Sequence, residues 1–232
     1  AVAESMGEMA KQMKERLKNG GDRDKTILEL VRETIVATEA IRFEGNGYSA
    51  EWVVEAERRG LAHLRNTPEA LNAFAYPSTK QLFLDTKILS EAELQIRHHV
   101  QVERYLKKSD IEIETMRMLV DSYVSPAVIA SLSEMADTAN SLSKLPGVEK
   151  SPVESSVKKM AELLKDLNEK RAAMESAFSA SSSLGDEARA KALAEKVFPA
   201  MYTLREVCDR AESLVGNAYW PLPKYREMLF CY

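Results

Sequence analysis

Three observations predict an all-α fold, with short helices and loops followed by a long-helix antiparallel bundle that contains a helical hairpin. Apolar residues recur every three or four positions over most of the 232 residues, the spacing that puts them on one face of a helix. No stretch shows the strong apolar–polar alternation of a strand. Gly and Pro concentrate between residues 42 and 89 and thin out afterwards, which divides a punctuated region from a continuous one. With 45 % apolar residues, a chain of this length can bury about 70 to 75 % of its unfolded surface.

Val2, Met6, Met9, Met13 and Leu17 share one face of a first helix, which Asn19, Gly20 and Gly21 terminate. The pattern predicts a second helix from about Asp24 to Ala40, with Ile27, Val31, Ile35 and Thr38 inward. Gly45, Gly47, Gly60, Pro68 and Pro77 then cut the chain into two or three short helices joined by ordered loops. Ser49 can cap a helix that begins at Ala50, and Thr67 followed by Pro68 offers a second N-cap. Ser90 and Glu93 form a capping box for a long helix that carries Ile113, Met116, Val120 and Tyr123 on one seam. Pro126 predicts a kink or a restart, because its ring clashes with the carbonyl four residues back.

After a turn at Leu145, Pro146 and Gly147, the run Ser151, Pro152 and Glu154 predicts a capped start. Val153, Val157, Met160, Leu164, Leu167, Met174 and Phe178 follow at heptad spacing, with Arg171 as the one polar interruption. Beyond the serine-rich loop, Asp186 can cap an antiparallel partner helix whose seam is Leu193, Val197, Ala200, Leu204, Val207, Ala211 and Leu214. Pro199 predicts a kink near Val197. Each arm holds about 28 residues, about 42 Å at 1.5 Å per residue, and the hairpin is expected to pack on the helices of 90–145.

Composition narrows the function. Lys and Arg number 32 against 36 Asp and Glu, interspersed in sign, so there is no basic stripe for nucleic acid. The longest run without a charge, Ser122 to Ser133, has twelve residues, short of the roughly 20 that span a membrane. Cys208 and Cys231 are too few for a disulfide framework and fit a reducing cytoplasm. His98 and His99 are helix neighbours that point about 100° apart, and neither follows a Glu by three residues as in carboxylate-bridged metal bundles. His63 stands alone, and no Cys/His cluster has zinc spacing. Gly45-Asn46-Gly47-Tyr48-Ser49-Ala50 matches the loose dinucleotide pattern G-x-G-x-x-A, but no βαβ pattern surrounds it, so its expected role is a turn that caps the next helix. Glu55 and Arg59 have the spacing of a helical ion pair. No catalytic, cofactor-binding or metal-ligating residue is assigned.

The phrases Ile41 to Leu71 and Trp220 to Phe230 resemble the carboxyl-terminal part of the type III glutamine synthetases. The likeness rests on Ile41, Phe43, Gly45, Tyr48, Ser49, Glu51 and Trp52, then on Glu55, Ala56, Arg58 or Arg59, Gly60 and Leu61. Thr67, Ala70 and Leu71 continue it, as do Ile111 to Pro126 and the closing W-P-L-P-K-Y-R-E-M-L-F; Ala1 to Ser5 resembles the family's last catalytic-domain helix. The resemblance implies a cytoplasmic glutamate–ammonia ligase of stacked hexameric rings that uses ATP and Mg²⁺ or Mn²⁺. It also implies that the metal-binding glutamates and phosphate-contacting arginines lie upstream of Ala1, so the chain alone is expected to be inactive. Residues 1–40 are expected to finish the catalytic domain, 41–89 to connect, and 90–232 to form a helical extension. Expected partners are the rest of the synthetase chain and further subunits in a homo-oligomer. The competing expectation is a free-standing helical interaction module with the 152–216 hairpin as its docking surface.

Overall fold

The computed structural model describes residues 2–229, with the side chains of Tyr225 and Arg226 left aside. The described residues form helices and loops without a strand. Two compact units divide the chain between His98 and His99.

In the first unit, α1 (Val2–Lys18) and α2 (Arg23–Ala37) pack on each other. Asp22 caps α2 by accepting the Lys25 N–H at 3.0 Å. The helix ends at Ala37, and a 3₁₀ turn over Glu39–Ile41 replaces the expected last turn. Its inward face also differs from the expected one. Thr26 and Leu30 are buried, whereas Ile27, Val31 and Ile35 are exposed. The apolar arc of α2 is wider than the seam that α1 covers.

Three short helices follow, α3 (Ala50–Arg58), α4 (Thr67–Leu71) and α5 (Pro77–Asp85). Ser49 caps α3 through the Trp52 N–H. The cap of α4 is Asn66 and not Thr67, because the extended backbone of Asn66 lets its side chain accept the Glu69 N–H at 2.9 Å. A long helix α6 (Glu91–Leu119) opens with the Ser90–Glu93 capping box, in which the Glu93 carboxylate accepts the Ser90 N–H at 2.8 Å and Ser90 Oγ accepts the Glu93 N–H at 3.3 Å.

In the second unit α6 runs into a π-helical turn, Val120–Val124, and continues as α7 (Ser125–Leu142). The hairpin consists of α8 (Ser151–Ser181) and a second arm made of α9 (Asp186–Ala192), a π turn over Leu193–Val197 and α10 (Phe198–Leu214). The tail carries a short α11 (Tyr225–Met228). α8 packs against both α7 and α10. Both expected proline disturbances occur, and both take one form. The N–H of Ser125, just before Pro126, donates to the Val120 carbonyl five residues back. Phe198, just before Pro199, does the same to Leu193. Widening the turn by one residue relieves the clash of a proline ring with the preceding turn without breaking the helix.

The seams shift where a helix outruns a strict heptad. Met201 and Val215 are buried where Ala200 and Leu214 were expected, and Leu163 is buried where Leu164 was. A period of 3.6 alternates steps of three and four residues, so either of two neighbours can take the buried position. Val124 likewise is buried where Tyr123 was expected. Two cap assignments also change. Lys150 precedes α8 without a side-chain cap bond, and Gly185 precedes the second arm, with Asp186 its first helical residue.

Candidate functional site

The densest constellation in the first unit is built from the Ile41–Leu61 phrase, and its chemistry is that of a clamp. Phe43 stacks on Trp52 with ring centroids 4.3 Å apart and planes 28° from parallel. The Arg59 guanidinium carbon lies 5.8 Å from each ring centroid. Arg59 Nε donates to Glu55 Oε1 at 2.6 Å, and its Nη1 donates to the carbonyls of Ala40 and Arg42. One side chain thereby ties the end of the 3₁₀ turn and the loop after it to α3, and the Glu55–Arg59 ion pair expected from spacing is its hinge.

Gly45 sits beneath the Phe43 ring, where an added Cβ would fall 2.4 Å from Phe43 Cζ. Gly60, at φ +73°, terminates α3 while the Leu61 N–H donates to the Ala56 carbonyl at 2.9 Å. Gly45 and Gly60 thus serve packing and helix termination. Arg58 and then Arg59 hold the Glu55 carboxyl at about 2, well below the ordinary carboxylate value, because both donate hydrogen bonds to it. Tyr48 is fully exposed, at 102 %.

The three histidines are not brought together. His63 and His99 are exposed, while His98 is half-buried with its ring 6.3 Å from that of Phe74. Among the described residues no group of three His, Cys, Asp or Glu side chains is disposed around a common point. Cys208 is half-buried in the second unit, and burial pushes its thiol up to about 11, so it is a poor nucleophile. Cys231 lies outside the described residues.

Two features of the second unit escape sequence reasoning. The first explains Arg171, the polar interruption in the heptad seam. Its Nε and Nη2 donate to the two Asp121 oxygens at 3.0 and 2.8 Å, and its Nη1 donates to Glu175 at 2.9 Å. Arg117 of α6 donates to the same Glu175 through Nε and Nη2, at 3.1 and 2.9 Å. Burial pushes the Glu175 carboxyl up, yet Arg171 and Arg117 together hold it below the ordinary carboxylate range. Phe178 lies under both Arg117, at 5.5 Å, and Arg189, at 6.0 Å. These contacts tie α8 to α6 and to the π turn at charges that sit 50 and 58 residues apart in sequence, and no local pattern signals such a pairing.

The second feature is a groove of about 550 Å³ between α6, α10 and the tail. Met116, Leu119, Met201 and Trp220 are among its apolar walls, with Arg205 and Asp209 also lining it. Trp220 Nε1 is buried without a hydrogen-bond partner. In the sequence Trp220 stands out only as part of the closing phrase.

The class that this geometry defines is an all-α domain whose strongest side-chain constellations clamp helices and loops together. Residues 26–143 match the family described as the glutamine synthetase C-terminal domain, and the chain belongs to that family. It is 30 % identical over 238 residues to a glutamine synthetase of Bacteroides fragilis, an alignment that covers 99 % of this chain and 32 % of that protein. It is 31 % identical over 240 residues to the type-3 glutamine synthetase of Dictyostelium discoideum, again covering 99 % of this chain and 32 % of the relative. A glutamine synthetase of Butyrivibrio fibrisolvens is 28 % identical over 222 residues, 91 % of this chain and 31 % of its own length. The chain thus spans about a third of the length of the curated relatives that it matches.

Proposed function

We propose that this chain is the C-terminal helical part of an ATP-dependent ligase that joins ammonia to glutamate. In this reading it contributes structure and subunit packing, and the catalytic groups are supplied by the other two thirds of a longer polypeptide. The observation that carries the reading is the pairing of near-complete coverage of this chain with coverage of only a third of relatives named glutamine synthetase. The clamp around Arg59 supports it, since the phrase that most resembles the synthetases is occupied with holding a loop on a helix.

ATP and Mg²⁺ or Mn²⁺ would belong to the parent enzyme. The described residues do not fit such ions, because no three metal-ligating side chains converge, and no chemical step is routed through this chain. Residues 1–40 would complete the catalytic domain, 41–89 would connect, and 90–232 would form the extension. The partners would be the rest of the synthetase and further copies of it in a homo-oligomer, working in the cytoplasm. No helix among the described residues is long and apolar enough to cross a membrane.

The reading frame upstream of residue 1 tests the proposal. It is expected to continue into a glutamate- and ATP-binding catalytic domain, and the longer product is expected to make glutamine. A start codon directly before residue 1 would favour a free-standing helical module in its place.

A further inference from the structure

The hairpin α1–α2 leaves much of its apolar surface exposed. Thr26 and Leu30 are buried and Thr34 is half-buried, which marks the stripe of α2 that is covered. Ile27, Leu28, Val31 and Ile35 fall within an arc of about 100° directly beside that stripe, and all four are exposed. On α1 the single apolar stripe is half-buried at Met13 and Leu17, but opens to 38 % exposure at Met9 and 65 % at Met6. The other side of α2 carries Lys25, Glu29, Arg32 and Glu33, with Val36 exposed among them. Arg16 spans from α1 to Glu33 with two hydrogen bonds, of 3.1 and 2.7 Å, and lies 4.0 Å from Glu29. A hairpin with its charges gathered on one side and four of its exposed apolar residues on the other is amphipathic as a unit, and an open face of this kind marks an interaction surface.

We propose that Met6, Met9, Ile27, Leu28, Val31 and Ile35 form the surface on which the remainder of the same longer polypeptide docks. This inference rests on the reading under Proposed function and adds to it the residues of the joint. The occupant follows from the chain outside this one. The family match begins at residue 26, after α1, whereas the relatives align along 99 % of this chain and hold about two thirds of their length beyond it. α1 therefore lies in a stretch that the relatives share but that precedes the C-terminal domain proper, and a large partner on the same polypeptide is available to cover it.

Cysteine reactivity tests this. Val31→Cys places a thiol on the open face, and Lys25→Cys places one on the charged side of the same helix as a control. Maleimide labelling is followed by peptide mass spectrometry, so that Cys208 and Cys231 are counted separately. In the 232-residue chain both introduced thiols should label at similar rates. In the longer polypeptide Val31→Cys should label about ten-fold more slowly or worse, as thiol access falls, with Lys25→Cys unchanged. Equal rates in an active longer polypeptide would overturn this inference and leave the proposed function standing. Protection of Val31→Cys already in the 232-residue chain, with a doubled mass in solution, would assign the face to a second copy and also overturn it. A reading frame that does not extend upstream would overturn both.

Discussion

The two units differ in how far each satisfies itself. In the second, Ile113, Val128, Leu167, Met174, Leu193, Leu204 and Ala211 are fully buried, and the polar residue that breaks the seam is answered by Asp121 and Glu175. In the first, Leu30, Ala56, Leu71 and Leu94 are buried, while α1 and α2 leave Met6, Met9, Ile27, Leu28, Val31 and Ile35 exposed. Long helices that pack on each other can close a core from their own seams. A two-helix hairpin and three short helices close less of theirs, and in the first unit the Arg59 clamp holds a loop on α3.

Truncation separates them most strongly. Leu204→Ala should destabilise the second unit by about 2 to 5 kcal/mol in urea unfolding, whereas Val31→Ala should change the stability of the isolated chain by less than about 0.5 kcal/mol. A cost at Val31 equal to that at Leu204 would erase the contrast. Gly45→Ala should come next, because its methyl group cannot coexist with the Phe43 ring in place. Loss of the stacked pair costs about 1 kcal/mol, with the Trp52 indole resonance shifting as the stack opens. An unmoved resonance would show that the clamp does not hold the loop.

Lys87→Gly works in the opposite direction. Lys87 closes α5 at φ +53°, a conformation that costs a side-chain-bearing residue about 1 kcal/mol, so the glycine variant should be more stable by up to that amount in the same unfolding assay. The smallest effect is one of pH. The Glu55 carboxyl is depressed to about 2 by Arg58 and Arg59, so its stabilisation is complete above the unfolded carboxylate value and fades as pH falls toward about 2. The Trp52 resonance should follow that loss, and Glu55→Gln should flatten the acid limb.

Much of this was legible in the sequence, and the failures have physical causes. Helix type, the hairpin, both proline sites, the Ser49 cap and the Ser90–Glu93 box follow from local periodicity and cap chemistry. The buried side of α2 is not legible, because Ile27, Val31 and Ile35 are the more apolar stripe and sequence does not say which stripe a neighbour covers. The caps at Asn66 and Gly185 fell one residue before the expected ones, where backbone conformation and not residue type decides. The clamp was half visible, since Glu55 and Arg59 are four apart, but the carbonyls of Ala40 and Arg42 join it only in space. The Arg117–Glu175–Arg171 tie and the Trp220 groove join residues far apart in sequence, beyond the reach of any periodic signal.

The central claim is that this chain holds structure while the chemistry lies on another part of a longer enzyme. γ-Glutamyl transfer with Mn²⁺ tests it most directly, run on the purified 232-residue chain beside the longer polypeptide. The account predicts turnover by the longer polypeptide and none by the 232-residue chain; clear turnover by the 232-residue chain alone would contradict it.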